Sequence, residues 1–146
     1  MDQNTIAVIW DFDKTLIKGY MQEPIFRKFN VDANAFWAEV SSLPEKYARQ
    51  GIKVNPETIY LNHMITCAKQ GIFEGLSNDM LCRLGAELEF YEGLPEILKE
   101  LKYEILKDSK YSKFGIHVEH YIVSTGLTAM IRGSKIAEHV DGIWGC

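Results

Sequence analysis

Two aspartates one residue apart close an apolar run of strand length, Ile6-Ala7-Val8-Ile9-Trp10-Asp11-Phe12-Asp13-Lys14-Thr15. Apolar residues in unbroken succession predict a strand buried on both faces, as in a parallel sheet. Ligands of an open α/β sheet sit beyond the carboxyl ends of its strands, so Asp11 and Asp13 fall where a binding crevice belongs. If the chain stays extended, the two side chains share one side. Carboxylates held that close repel each other unless a cation or a shared proton intervenes. A hard divalent ion with oxygen ligands, Mg2+, meets that need. The residue types suit phosphoryl transfer, with a carboxylate as nucleophile and a metal offsetting charge on the phosphoryl oxygens. A strand-ending Asx turn would carry the same letters, so the reading needs a second feature.

Tyr121-Ile122-Val123-Ser124-Thr125-Gly126 supplies it: another apolar strand ending in hydroxyl residues and a glycine, then a helical pattern through Leu127, Met130 and Ile131. The Ser124 hydroxyl can donate to a phosphate oxygen, and the Thr125 and Gly126 amides at a helix start can hold an anion. Glycine lets backbone and ligand approach closely. Standing alone, a Ser/Thr cap at a strand–turn–helix junction reads the same way.

The elements that must position these residues are mostly helical. Asn55-Pro56 predicts a helix start, with Tyr60, Met64 and Cys67 at helical spacing and Gly71 at the end. Ser77 or Asn78 caps the next helix, whose stripe is Met80, Leu81, Leu84 and Leu88. Phe26, Phe29, Phe36 and Trp37 belong to an earlier helical piece broken near Asn30, and an aromatic stripe of this kind reads as packing. Pro95 opens a helix whose apolar face is Leu94, Ile97, Leu98, Leu101 and Ile105. His117 and His120, three apart on a strand, point to opposite faces and make no metal pair. His63 and His139 read as surface or packing residues.

DFDKT resembles the first signature of the haloacid dehalogenase superfamily, Asp-x-Asp-x-Thr. The run ending in Ser124 is similar to its second motif, and Gly93 to Leu101 is similar to its Gly-x-Pro-x-x-Leu-x-x-Leu stretch. The resemblance implies an α/β, Rossmann-like three-layer core with a parallel sheet, built from residues 1–19 and 92–146, and a helical cap inserted as residues 20–91. It implies a Mg2+-dependent phosphatase of the phosphoserine-phosphatase-like branch, acting on a small phosphorylated metabolite through an aspartyl-phosphate. Asp11 would be the nucleophile and Asp13 the acid/base. Mg2+ would be held by the Asp11 carboxylate and the Asp13 backbone carbonyl. Phe12, Thr15, Ser124, Thr125 and Gly126 would bind phosphate. A phosphotransferase or mutase differs only in whether water or a second hydroxyl accepts the phosphoryl group.

Composition narrows the alternatives. With 146 residues, 47% hydrophobic and 25% charged, the chain is of ordinary single-domain size. A net charge of -4 without a basic cluster argues against nonspecific nucleic-acid binding. There is no apolar run of membrane-spanning length and no leader pattern in the polar start MDQNT. Cys67, Cys82 and Cys146 form no C-x-x-C, which suits a reducing cytoplasm. The superfamily's remaining parts are harder to find. Lys135 is the sole lysine after Ser124, early for the motif-three lysine, and no acidic pair follows Asp141. The expected core therefore ends after its third strand, leaving the first strand at a sheet edge. Self-association or a further C-terminal segment is expected to cover that edge. Without such a cover, weak turnover, or a binding or assembly role, is the expectation for the chain alone.

Overall fold

A computed structural model describes residues 4–146, so residues 1–3 of the polar start lie outside the described part. β1 (Thr5–Trp10), β2 (His117–Val123) and β3 (Gly142–Trp144) form a parallel sheet in the order β1-β2-β3. Between β1 and β2 run α1 (Glu23–Phe29), α2 (Ala33–Ala48), α3 (Ile59–Lys69), α4 (Asn78–Gly85), α5 (Glu96–Lys107) and the short α6 (Ser109–Ser112). α7 (Thr128–Gly133) and a 3-10 turn (Ala137–His139) connect β2 to β3.

The helical block follows its sequence signals apart from a late start to α3 and an early end to α4, which stops at Gly85 and leaves Leu88 of the predicted stripe beyond it. Asn30, in the left-handed region at φ 52°, ends α1. Asp32 then starts α2 by accepting from the Asn34 and Ala35 amides at 2.8 and 3.2 Å. Asn55 does not cap α3: its side chain bonds the Glu57 amide in a local turn, and the helix begins at Ile59. The chain enters and leaves the block as two paired strands of backbone, with Lys18 N–H on Glu89 C=O and Tyr91 N–H on Leu16 C=O. Phe26, Phe36 and Phe73 are buried in an aromatic core, Phe26 and Phe36 with ring centroids 4.8 Å apart.

α4 and α7 meet through glycine. A Cβ on Gly85 would run into the Met130 carbonyl, and one on Gly133 into the Cys82 carbonyl. Two helices can approach this closely only where no side chain intervenes. Gly133→Ala is accordingly expected to lower stability by about 1–3 kcal/mol through overpacking. A thermal melt of the variant checks this; an unchanged midpoint would contradict it.

Burial along β2 alternates: Val118, His120 and Ile122 are buried, while His117, Glu119 and Tyr121 are only partly so. His120 is fully enclosed. Its Nδ1 accepts from the Trp10 indole at 3.2 Å, so its Nε2–H donates to the Leu98 carbonyl 2.9 Å away on α5. Burial pushes its pKa down, and this neutral histidine is a packing residue. Of the predicted α5 face only Leu98 is buried; Ile97 and Leu101 stand exposed.

β1 departs from the expectation of burial on both faces, for Ile6 is 45% and Ile9 67% exposed. Among the described residues it is an edge strand, paired only to β2. Helices cover one face of the sheet, and the opposite face shows Ala7, Ile9, Val123 and Trp144 to solvent. Of the expected three layers, the described residues supply sheet and helices on one side.

Candidate active site

The register Trp10↔Ile122 sets the carboxyl ends of β1 and β2 side by side. Asp11 therefore emerges next to Val123, and the aspartate loop and the Ser124–Gly126 loop leave the same edge of the sheet from adjacent strands. This is the juxtaposition that the sequence reading required.

Directly after β1 the chain turns tightly around one carbonyl. The amides of Thr15, Leu16 and Ile17 all point to Phe12 C=O, at 3.3, 2.9 and 3.2 Å. Lys14 takes φ 58°, a conformation uncommon for a residue with a Cβ. The Phe12 ring is completely buried against Phe90, centroids 6.1 Å apart, so it anchors the loop and can meet a phosphate only through backbone. Thr15 donates its hydroxyl to Asp11 Oδ2 at 2.7 Å. That bond orients the Asp11 carboxylate, which remains solvent-exposed.

Asp13 has a different environment. It is partly buried, and its Oδ1 accepts from the Met21 amide at 2.7 Å. Burial pushes its pKa up to about 6, with the nearby Asp11 and Glu23 charges acting the same way and the Met21 bond and Lys14 opposing. Two carboxylates of one type thereby stand in different environments: Asp11 is exposed to solvent, while burial favours the protonated form of Asp13.

At the end of β2, Ser124 Oγ accepts from the Gly126 amide at 2.9 Å. The Leu127 amide points to the Met21 sulfur at 3.0 Å, joining this loop to the Asp13 loop through one residue. The Thr125 carbonyl accepts the Tyr60 hydroxyl at 2.7 Å, which pins α3 to the loop. Lys135 gives its ammonium to the Leu94 carbonyl at 2.9 Å and lies over the Phe90 ring.

Asp13 and Thr125 line one cavity of about 620 Å³, together with Tyr20, Gln22, Trp37, Val40, Tyr60 and Glu57. Sequence reasoning missed these last residues. Trp37, assigned to packing with the phenylalanines, in fact ends the aromatic core at the cavity wall, its ring 5.6 Å from both Tyr20 and Tyr60. A second cavity of about 550 Å³ between α1 and α4 is lined by Arg27, Lys28, Arg83 and Glu87 and holds none of the candidate site residues singled out in the sequence.

The donors can be tested against Mg2+. Among the described residues no group of three or more His, Cys, Asp or Glu is placed to hold a metal ion. Mg2+ does not need such a cage; it keeps water and binds through one or two protein groups plus substrate phosphate. Asp11, exposed and bonded within the protein through Oδ2, fits that mode.

No protein-family model matches the chain. A protein of Borreliella burgdorferi described as uncharacterized is 44% identical over 145 residues, covering 99% of this chain and 50% of that protein. The chain thus spans half the length of the curated relative it matches. The crystal structure of the HAD family hydrolase t0658 from Salmonella enterica serovar Typhi superposes with a TM-score of 0.55 at 19% identity, over 97% of this chain and 40% of that one. No helix among the described residues is long and apolar enough to cross a membrane. The chain therefore has an α/β, haloacid-dehalogenase-like fold, with three parallel strands in an open sheet and their helices.

Proposed function

We propose that this chain carries the nucleophile, acid/base and phosphate loop of a Mg2+-dependent phosphomonoester hydrolase working through an aspartyl-phosphate. The observation that supports it best is the pairing of the two strand ends. An exposed carboxylate, Asp11, and a partly buried one, Asp13, stand beside the Ser124–Gly126 loop, with a cavity opening at Asp13.

In the first step an Asp11 oxygen bonds to phosphorus as the bond from phosphorus to the leaving oxygen breaks. Asp13 gives its proton to that oxygen, so an alcohol departs. In the second step Asp13 takes a proton from water, whose oxygen bonds to phosphorus while the Asp11–phosphorus link breaks. Thr15 holds the nucleophile in position, and the Ser124 hydroxyl and Thr125 amide serve the phosphate, the Gly126 amide being bonded to Ser124 Oγ and shaping the loop. Bound Mg2+ would supply positive charge to the phosphoryl oxygens, with Asp11 and the Asp13 carbonyl as its protein ligands. Small phosphorylated metabolites are the substrates this reading implies. The three free thiols of Cys67, Cys82 and Cys146 suit a reducing cytoplasm.

A second reading, an assembly module whose turnover depends on a further polypeptide segment, is favoured by the bare edge and face of β1. Mg2+ with beryllofluoride tests the first reading. A working site should trap one phosphate mimic on Asp11, seen as a bound fluorine resonance; no trapped species on the folded chain would refute it.

A further inference from the structure

The cavity that opens at Asp13 has a polarity that selects a leaving group. Its inner end is formed by Asp13 and the buried Gln22 and Tyr60, and its mouth by the exposed Ser41, Pro56 and Glu57. Tyr20, Trp37 and Tyr60 make a row of three rings along it. Its lining residues include two carboxylates, Asp13 and Glu57, and no lysine, arginine or histidine. The nearby cation is Lys14, beside Asp13, with its ammonium 2.9 Å from the Tyr20 hydroxyl. Lys14 is thus one cation among the carboxylates of Asp11, Asp13 and Glu23 at the inner end, and Glu57 adds negative charge at the mouth.

Gln22 adds a separate observation. It is 2% exposed, its side chain stands against the Tyr60 hydroxyl, and its Oε1 has no hydrogen-bond partner. A buried acceptor left unpaired is costly, and a donor on an incoming ligand relieves that cost once the amide turns toward it. A carboxylate on the ligand would find neither a donor cation nor a favourable potential among the cavity walls. An ammonium would find the faces of electron-rich rings, an acidic mouth and an amide acceptor.

We propose, building on the hydrolase reading, that the substrate is the phosphate monoester of an amino alcohol without a carboxylate. Its phosphate lies at Asp11 and Asp13, and its ammonium lies along the Trp37–Tyr60 wall toward Glu57. Three probes isolate the features. O-phosphoethanolamine carries the ammonium, ethyl phosphate lacks it, and O-phosphoserine adds a carboxylate to it. Titrated into the 146-residue chain with Mg2+ and followed by calorimetry, O-phosphoethanolamine should bind about tenfold more tightly than ethyl phosphate, the range expected for a desolvated cation–ring contact, and more tightly than O-phosphoserine, whose carboxylate meets no cation on the cavity walls. Glu57→Gln, an exposed position, should cut the advantage over ethyl phosphate to about threefold or less and leave ethyl phosphate affinity unchanged. Equal or tighter binding of O-phosphoserine, no advantage over ethyl phosphate, an advantage insensitive to Glu57→Gln, or no binding of any probe each overturns the proposal. The beryllofluoride trap is scored on the same preparation. Selectivity without trapping sinks the hydrolase reading and keeps the amino-alcohol pocket; trapping without selectivity does the reverse.

Discussion

Asp11→Asn should abolish beryllofluoride trapping and reduce any phosphomonoester turnover on the order of 10⁴-fold or more, as expected when a covalent nucleophile is removed. The substitution is close to isosteric. The new amide carbonyl can still accept the Thr15 hydroxyl that reaches Asp11 Oδ2 at 2.7 Å, so the loop around Phe12 C=O keeps its shape. Asp11 is exposed, and surface changes of this kind usually move stability by within about 0.5 kcal/mol. Loss of trapping with an unshifted melt would thus report chemistry. A variant that still traps the mimic would remove Asp11 from the mechanism and leave its pairing with the Ser124 loop unexplained.

Asp13→Asn should inactivate the protein and stabilise it. Asp13 is held at about 6 in the fold against 3.8 for an ordinary aspartate, chiefly by burial. Between those two values the unfolded chain has released a proton that the folded chain still keeps. Stability therefore falls as pH rises through that window, and the deficit persists above about pH 6. The amide that replaces the carboxylate has no charge to desolvate, and its oxygen can still accept the Met21 amide. In metal-free buffer at about pH 7.5 the variant should melt a few degrees above the parent, and near pH 4 the two should converge. Turnover should drop about 10²- to 10⁴-fold because the leaving oxygen has lost its acid. An Asp13→Asn chain that melts below the parent at the higher pH would show that Asp13 is a structural anchor. A group that costs stability where it stands is what a site under functional constraint would contain.

The sequence made the strand ends legible because they are local. An apolar run followed by D-x-D, or by Ser-Thr-Gly, sets its own geometry within a few residues, and parallel pairing then joins the two loops. The α1 break at Asn30 was equally local. What stayed hidden depended on distant placement. Tyr60 meets Thr125 across 65 residues, and neither position announces the other. Trp37 belongs to a stripe whose other members are packed, and only the position of α3 leaves its ring at a cavity wall. Gln22 reads as a surface residue until its burial is known. The β1 error had the same origin: unbroken apolar letters report what a strand is suited to touch, and here the described residues provide it on one side only.

The bare side of β1 bears on the carboxylate proposed as the nucleophile. Asp11 is the residue next after a strand whose outward amides and carbonyls have no sheet partner among the described residues, and such margins breathe more readily than interior strands. If Asp11 acts as proposed, how steadily it is aimed depends on whatever docks along that margin. On the proposed function, a polypeptide pairing there would quiet the backbone leading into Asp11 and roof over Ile9 and Trp144 in one movement.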